Sequence, residues 1–288
     1  VSDLNQYKGY VISDINPVLN TVTFLNGVTL HKGEVMGDVS ELALQRVQIR
    51  ETIRSHFEKE CELFEKGIKT LSLFFIDEVA KYKSYDEQGN EVKGVFQQIF
   101  EEEYTNLLNE NLSQFNSAYQ VYLRRFQVQK IHKGYFSIDK RSGRDINSKT
   151  SRNSDLSDDI SAYELILRNK NQLLNFDEPT RFIFSHSALR EGWDNPNIFQ
   201  ICTLRHSNSE VNKRQEVGRG LRLCVDKDGN RMDYQALGEN VHDVNRLTVI
   251  ANESYSTFVD DLQKKTRESL RERSKKATMD FFKDKVLL

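Results

Sequence analysis

The first forty residues alternate between apolar and polar positions in the manner of short β-strands. Tyr10–Ile15 and Thr21–Leu25 both show this two-residue period, which places alternate side chains on opposite faces of a strand. Asn26 and Gly27 form a strong turn signal ahead of a third such run, because both residues tolerate positive φ. We therefore predict a small β-meander over residues 1–40, as an appendage or as an inter-domain link.

After residue 40, helical periodicity alternates with short runs of mostly apolar residues. Apolar positions at helical spacing predict a helix from Ser40 to about Lys66, and Gly67 is typical of a residue that ends one. The apolar runs are too short for helices and predict strands that are buried on both faces, as in a parallel sheet. These runs are Leu71–Ile76, Arg181–Ser185, Ile198–Leu204 and Leu247–Ala251.

Further elements complete an alternation of strands and helices. They are a strand over Val128–Phe136 and helices over Val95–Asn109, Leu112–Phe126, Ile160–Leu174 and Glu210–Leu221. The alternation is typical of an α/β domain with a parallel sheet, which we assign to residues 41–255. Because such sheets bind ligands at the carboxyl ends of their strands, the chemistry is expected in the loops after Ile76, Ser185 and Leu204.

Two polar stretches fall outside this alternation. Lys140–Asp159 contains almost no apolar residue, and we predict a flexible basic loop at about residues 137–159. From Arg124 to Arg152 the chain has nine Lys or Arg residues against two Asp, which would suit a phosphate-contacting surface as well as a solvated loop. A long charged helix opens a predicted helical extension over residues 256–288.

The overall composition excludes several classes of protein. With 38% hydrophobic and 29% charged residues and no run of eighteen apolar positions, the chain is predicted to be globular and not to enter a membrane. A net charge of −2 argues against a wholly electrostatic nucleic-acid binder. Cys61, Cys202 and Cys224 form no CxxC pair, and the histidines lack i, i+4 spacing, so we predict a reducing cytoplasmic environment and no metal site.

The segment SHSALREGWDNPN, Ser185–Asn197, directly follows a predicted strand. It gathers Arg190, Glu191, Gly192 and Asp194 within five positions. The glycine would let the backbone approach a phosphate closely, and an Asp two residues later could hold a ribose hydroxyl or a cation. A proline-containing turn after a strand would have the same sequence, so this segment alone leaves both interpretations open.

A second segment, QEVGRGLR, covers Gln215–Arg222 on a predicted helix. Arg219 and Arg222 are three positions apart and would share a helix face, where two guanidinium groups suit a multiply charged phosphate. The alternative is a solvated amphipathic helix. Gly218 and Gly220 weaken that alternative, because two glycines inside a helix cost roughly 2 kcal/mol relative to alanine. A close approach of the backbone is therefore expected here.

Taken together, the two segments resemble the fifth and sixth signature motifs of superfamily 2 helicases. The sixth motif is QxxGRxxR, and Gln215, Gly218, Arg219 and Arg222 match its fixed positions. Upstream, LSLFFID resembles the fourth motif, and IHKG resembles a strand end usually written IHG. The stretches SLFFIDEVAKY, GYFSIDK, FDEPTRFIFSHSALREGWDNPNIFQICTL and RQEVGRGLRL resemble the Res subunit of type III restriction–modification enzymes, from about Arg46 to Ser256.

The resemblance implies a RecA-like α/β domain, with a parallel sheet flanked by helices, that forms the second lobe of an ATP-driven DNA motor. In this interpretation Arg219, Arg222 and Gln215 act at the γ-phosphate. Glu191, Gly192, Asp194 and Gly218 would bind the nucleotide. His186, Ser187, Arg190, Lys133 and Gly134 would contact nucleic acid.

The same resemblance implies the cofactors and partners. ATP and Mg²⁺ would be bound mainly by an N-terminal RecA-like lobe in cis, and the motor would move on double-stranded DNA with a methyltransferase (Mod) subunit, in the bacterial cytoplasm. The 288 residues contain no GxxxxGK[ST] phosphate loop and no recognisable nuclease core. We therefore expect a fragment of a site-specific deoxyribonuclease that is inactive by itself.

One position departs from the family pattern, and one segment mimics a different motif. His186 stands where many helicases have a Thr that touches the nucleic-acid backbone, so that contact would pass to Ser187 or Arg190. FFIDEVA, Phe74–Ala80, mimics a Walker B strand, but this strand functions only with a phosphate loop. We expect Asp77 to be the N-cap of a helix instead.

Other functions also fit these motifs. One is the C-terminal motor domain of another superfamily 2 enzyme, from type I restriction or excision repair, whose fifth motif also contains an LREG-type run. GYFSIDK favours the type III interpretation. A further possibility is a non-catalytic helicase-like nucleic-acid-binding module, against which the presence of both Arg219 and Arg222 argues.

Overall fold

The computed structural model describes residues 10–32, 41–138, 144–147, 170–186, 195–205, 210–250, 263–264 and 267–268. The chain divides into two compact units, Val1–Gln45 and Arg46–Leu288. The domain boundaries at residues 40 and 255 stay predictions.

The first unit contains the predicted β-meander. Strands β1 (Ile12–Asn16), β2 (Thr21–Phe24) and β3 (Thr29–His31) form an antiparallel sheet in that order. Gly27 has a φ of 83°, and the Asn26 side chain accepts a hydrogen bond from the Val28 amide, as the turn signal predicted. Its role as an appendage or a link stays a prediction.

The second unit alternates helices and strands. In chain order they are α1 (Glu41–Phe64, which begins in the first unit), β4 (Leu71–Phe75), β5 (Lys83–Tyr85), β6 (Glu91–Lys93), α2 (Val95–Asn111), α3 (Ser117–Arg124), β7 (His132–Tyr135), β8 (Ser137–Ile138), β9 (Asp145–Ile146), α4 (Lys170–Leu173), β10 (Phe182–Ser185), β11 (Ile198–Thr203), α5 (Glu210–Gly218), α6 (Tyr234–Leu237), α7 (Val241–Val244) and β12 (Thr248–Ile250).

The central element is a five-stranded, wholly parallel sheet in the order β12-β11-β4-β10-β7. All residues of β4, β10 and β11 are buried, because helices and loops cover both faces. The predicted fold class, an α/β domain of RecA-like type with a parallel sheet flanked by helices, is confirmed.

The two faces of the sheet pack against different cores. On one face, aromatic and aliphatic residues of α1, α2 and α3 surround Phe74, Phe182 and Phe184, and the rings of Phe74 and Phe184 stack at 4.5 Å. On the other face, Leu71, Leu73 and Phe75 pack with residues of β10, β11 and α4. Alternate residues of β4 therefore enter different cores, as the two-residue period of a strand requires.

Several local predictions need correction. Val128–Lys130 forms a 3-10 turn, so the strand predicted from Val128 begins at His132. The helix predicted from Leu112 is a 3-10 turn followed by α3, which begins at Ser117 because the side chain of Asn116 caps it by accepting from the Tyr119 amide at 2.8 Å.

Two hairpins extend from the carboxyl ends of β4 and β7. The first is β5–β6, which the sequence pattern did not predict, and the second is β8–β9, which occupies part of the loop predicted at 137–159. They are joined where the Asp145 amide donates to the Tyr85 hydroxyl at 3.1 Å and where Lys83 Nζ lies 2.5 Å from the Asp145 carboxylate. The loop prediction is thus wrong for residues 137–138 and 145–146, which are strands. Residues 139–143 and 148–159 lie outside the described ones.

Other predicted elements lie largely outside the described residues. Of the helix Ile160–Leu174, the structure describes Lys170–Leu173 as helical. Of the extension 256–288, it describes residues 263–264 and 267–268, which are helical. Within the described ranges, no helix has the length and apolar character needed to cross a membrane.

Candidate functional site

The strands of the parallel sheet end nearly level at their carboxyl edge. Ser185, the last residue of β10, lies opposite Phe75 of β4 and Tyr135 of β7, and Thr203 of β11 also lies opposite Phe75. The Leu204 amide then donates to the Phe75 carbonyl at 2.8 Å. The segments that leave these strands therefore start from one edge, the place where parallel sheets bind ligands.

The QEVGRGLR segment is shorter as a helix than predicted. Helix α5 ends at Gly218, and a turn follows in which the Arg219 amide donates to the Glu216 carbonyl at 3.3 Å and the Gly220 amide to the Val217 carbonyl at 3.0 Å. The prediction that Arg219 and Arg222 share a helix face is wrong. Glycines favour this early end, because they lose the most backbone entropy in a helix.

The site residues of this segment differ in exposure. Gln215 and Arg222 are exposed to solvent, whereas Arg219 is only 8% exposed and interacts with neighbouring groups. Gln215 and Arg222 can therefore meet an incoming ligand without rearrangement. Arg219 is enclosed, so a ligand would reach it only after a local rearrangement.

The two glycines of this segment have different surroundings. A Cβ at Gly220 would lie 2.5 Å from Leu247 Cδ1 and 3.2 Å from Ile201 Cδ1, so the turn packs tightly against β11 and the residue before β12. A Cβ at Gly218 would meet no described atom within 4 Å. The close approach expected from the sequence is thus explained at Gly220 by the protein's own core, and a ligand approach at Gly218 stays a prediction.

Arg205, which belongs to neither motif, joins the two motif segments. It follows β11, and its guanidinium forms an ion pair with Glu216 of α5 and donates through Nη1 to the carbonyl oxygen of His186 at 3.2 Å. Thr203 Oγ1 also donates to Glu216 Oε2, at 3.3 Å. The start of the fifth-motif segment is therefore connected to the sixth-motif helix by one side chain.

The rest of the fifth-motif segment lies outside the described residues. His186 is half-buried, directly after β10. The predicted site residues Ser187, Arg190, Glu191, Gly192 and Asp194 fall in the undescribed range, so their roles stay predictions.

Lys133 and Gly134 lie inside β7 rather than after it. Lys133 is exposed, and its Nζ forms an ion pair with Glu178 Oε1 at 3.0 Å. A Cβ at Gly134 would collide with the ring of Phe136 and lie 2.8 Å from Tyr82, so aromatic packing accounts for the glycine. Nucleic-acid contact by either residue stays a prediction.

The segment after β4 also differs from the expected helix cap. Val79–Lys81 is a 3-10 turn, and its first amide, that of Val79, donates to Asn147 Oδ1 at 2.7 Å. Asp77 instead accepts from Lys81 Nζ at 2.5 Å and from the Glu78 amide at 3.0 Å. The N-cap prediction for Asp77 is therefore wrong, because the β8–β9 region supplies the cap.

A buried group of charged residues lies at the opposite, amino edge of the sheet. Arg181, just before β10, is 2% exposed and donates to Glu60 Oε2 at 2.6 Å and to the Tyr104 hydroxyl. Tyr119 donates to the same Glu60 oxygen at 2.7 Å, and His56 Nε2 lies 3.4 Å from Glu60 Oε1. Every one of these side chains is buried in the core.

Burial and pairing displace the pKa values at this edge. Burial alone would raise the pKa of Glu60, but the charge of Arg181 and the hydrogen bonds that Glu60 accepts lower it to about 2. Burial lowers the pKa of Lys69 to about 7, although Glu60 and Glu178 oppose this. Burial also lowers the pKa of His132, the first residue of β7, to about 4. These groups are enclosed by the fold, so we assign them to stability.

The described residues also bear on the prediction that the chain has no metal site. Among the residues that the structure describes, no three His, Cys, Asp or Glu side chains lie together in a way that could hold a metal ion. Asp226–Asn230, a sequence of Asp, Asn and Gly, forms a tight turn in which Asp226 Oδ1 accepts from the amides of Asp228 and Asn230.

Comparison with known proteins bears on the two motif segments as a pair. The chain is 40% identical over 215 residues to the Res subunit of the type III restriction–modification enzyme EcoP15I of Escherichia coli, and equally to that of EcoPI of Escherichia phage P1. It is 36% identical over 217 residues to the StyLTI Res subunit of Salmonella typhimurium. These matches cover 66–72% of this chain and 20% of each relative. No family model matches the chain.

The chain thus spans about a fifth of the length of the curated relatives that it matches. Identity at this level over more than two hundred residues agrees with the parallel α/β sheet and with the motifs that begin at its carboxyl edge. The predicted resemblance is confirmed: the chain is related to a helicase-like part of the Res subunits of type III restriction–modification enzymes.

Proposed function

We propose that this chain is the second RecA-like lobe of the ATP-driven DNA motor of a type III restriction enzyme. The observation that carries the proposal is the connection made by Arg205. It brings the first residue after β10 and the helix of QEVGRGLR together at the carboxyl edge of a parallel sheet, where nucleotide and nucleic acid bind in such folds. The proposal is supported by the identity of 36–40% to Res subunits.

In the proposed mechanism this lobe closes over ATP that is held mainly by an N-terminal lobe in cis. Arg222, exposed beyond α5, would approach the γ-phosphate, and Gln215 would orient that phosphate or the attacking water. Two guanidinium groups stabilise the negative charge that spreads over the phosphoryl oxygens, and an arginine finger contributes roughly 10³–10⁵ in rate. Mg²⁺, when bound by the other lobe, neutralises phosphate charge there.

Arg219 would have a different part in this mechanism. Its position within the turn after α5 and its burial suit a residue that is held ready and exchanges its partners when the lobes close. Glu191, Gly192, Asp194 and Gly218 would line the nucleotide, with Gly192 and Asp194 sensing the phosphate and the ribose. Lobe closure would then depend on whether nucleotide is present.

Double-stranded DNA and a methyltransferase (Mod) subunit are the proposed partners. His186, Ser187, Arg190, Lys133 and Gly134 are the proposed nucleic-acid contacts. Lys133 already carries an exposed ammonium group, and a DNA phosphate would have to replace Glu178 as its partner. We place the complex in the bacterial cytoplasm, and we propose that the 288-residue chain does not hydrolyse ATP by itself because it contains no phosphate loop.

The test is DNA-stimulated ATP hydrolysis by the full-length protein that carries this chain. Replacing Arg222 by Ala, or Arg219 by Ala, should lower turnover by about a hundredfold or more, with ATP binding retained. Arg54→Ala is the matched control, because Arg54 lies on α1 and pairs with its neighbour Glu51. Unchanged turnover in Arg222→Ala and Arg219→Ala would mean that the segment is structural, and a non-catalytic nucleic-acid-binding module would become the better interpretation.

A further inference from the structure

Arg205 lies where three segments of the carboxyl edge meet. It belongs to the segment after β11, pairs with Glu216 of α5, and donates to the His186 carbonyl after β10. Its guanidinium carbon also lies 5.7 Å from the centre of the Phe75 ring, at the end of β4. A planar guanidinium with fixed donor directions can contact Glu216, the His186 carbonyl and the Phe75 ring at the same time, which a lysine ammonium cannot do.

The pair is well shielded from water. The side chain of Arg205 is 15% exposed and that of Glu216 is 4% exposed. A charge-assisted bond in such surroundings has a narrow range of geometries, and removing one partner weakens the compensation of the other buried charge. The pair therefore restricts the position of α5 relative to the ends of β10 and β11.

Glu216 also contacts the turn that follows α5, and its position therefore affects where that turn lies. Its carboxylate is held by Arg205 and Thr203, while its backbone carbonyl accepts the hydrogen bond of the Arg219 amide at 3.3 Å. A shift of Glu216 would therefore move the start of the turn that carries Arg219. Arg205 and Glu216 can therefore influence the position of Arg219 without touching a substrate.

We propose that Arg205 is a positioning residue, which acts through Glu216 to set the place of Arg219 for ATP hydrolysis. The inference rests on the proposed function, since it concerns the same reaction. It predicts that loss of Arg205 lowers catalytic turnover while the affinity for ATP changes little, because the residue that moves is one that acts on the transition state.

The first experiment measures DNA-stimulated ATP hydrolysis in the full-length protein. Arg205→Met should lower kcat by about tenfold to a hundredfold, with the KM for ATP within about threefold, and Arg205→Lys should retain more activity than Arg205→Met. The double variant Arg205→Met/Arg219→Ala should be no more than about threefold slower than Arg219→Ala alone, because both changes act on one group. Additive losses, or an unchanged kcat in Arg205→Met, would contradict the inference.

The second experiment does not depend on activity. Amide hydrogen exchange at Arg219 and Gly220, followed in the same protein, should be about tenfold faster in Arg205→Met, while exchange at Leu73 in β4 stays at the wild-type rate. If the Leu73 amide also exchanges faster, the variant is globally destabilised, and Arg205→Lys then replaces it in the same comparison. Unchanged exchange at Arg219 in a folded variant would overturn the inference, whatever the hydrolysis assay shows.

The two experiments separate the two proposals. If Arg219→Ala and Arg222→Ala leave hydrolysis unchanged, the proposed function is wrong, even where exchange at Arg219 shows that Arg205 positions the turn. If those variants are inactive but Arg205→Met is fully active, the proposed function stands and the positioning role is wrong.

Discussion

The two edges of the parallel sheet use arginine differently. At the amino edge, Arg181 is enclosed with Glu60, Tyr104 and Tyr119, so its charge is matched inside the protein. At the carboxyl edge, Arg205 is matched by Glu216, but Arg222 is exposed to solvent. An enclosed charge can stabilise a fold yet cannot act on an incoming molecule. Arg181 and Arg205 are therefore suited to maintaining the domain, whereas Arg222 is available for ligands.

The largest effect on stability is expected from breaking the enclosed pair. Arg181→Met leaves Glu60 as a buried charge with reduced compensation, and the free energy of unfolding should fall by about 3–5 kcal/mol. Urea unfolding of the chain measures this, and Glu60→Gln should have a comparable effect. The double variant should lose less stability than the sum of the losses in the two single variants, because neither charge then remains without the other.

Arg222→Met is the matched control at the other edge. It removes the same charge from an exposed position, so the free energy of unfolding should change by less than about 0.5 kcal/mol. If the two substitutions destabilised the chain equally, the distinction between the edges would fail.

The second largest effect is expected from acid, which should lower the free energy of unfolding through the buried groups at the amino edge. The folded state keeps His132 neutral, with a pKa of about 4, while the unfolded chain protonates near 6.5. Between these values the unfolded state binds more protons, so stability falls as pH drops from 6.5 toward 4, by up to about 3 kcal/mol. His56, whose pKa burial also lowers, acts in the same direction, whereas Glu60 contributes only below about pH 4.5.

Urea unfolding at pH 7 and pH 4.5 tests this expectation. His132→Gln should lose less stability over that interval than the wild-type chain, whereas His242→Gln, at an exposed position on α7, should keep the wild-type dependence. An equal loss in His132→Gln and the wild type would show that other groups carry the acid sensitivity.

A smaller effect should distinguish the two glycines at the carboxyl edge. Gly220→Ala forces Leu247 and Ile201 to move, and because their side chains are flexible the cost should be about 1 kcal/mol. Gly218→Ala meets open space at the end of α5 and should be neutral or slightly stabilising. Thermal unfolding of both variants makes the comparison, and equal destabilisation would contradict the packing explanation for Gly220.

The central sheet was predictable because burial on both faces requires a continuous run of mostly apolar residues in each strand. The apolar runs at β4, β10 and β11 can be recognised without knowledge of their partners, and Gly67, with a φ of 67°, ends α1 as expected. The strands of the β5–β6 hairpin contain no such apolar run. Its three-residue strands are polar and partly exposed, so no alternation of apolar residues indicates them.

The connections at the site could not be predicted for a different reason. Arg205 and Glu216 are eleven positions apart, and Arg181 and Glu60 are 121 positions apart, so both pairs depend on how the elements pack. The motif matched Arg219 and Arg222 by spacing, but spacing on an assumed helix could not reveal that the chain turns at Gly218. A charged residue two positions after the end of a buried strand, as Arg205 is, was the signal available in the sequence.

The central place of β4 has a consequence for how the protein is made. Both of its neighbours, β10 and β11, lie more than a hundred residues further along the chain. At about 5–20 residues per second, a ribosome needs on the order of 5–20 s to complete β10 after β4 has been synthesised. During that time LSLFF is an unpaired apolar strand on the nascent chain. Of the elements made near β4 in time, α1 and α2 pack on the face that carries Phe74. The face that carries Leu71, Leu73 and Phe75 is covered only when β10 and β11 have been made.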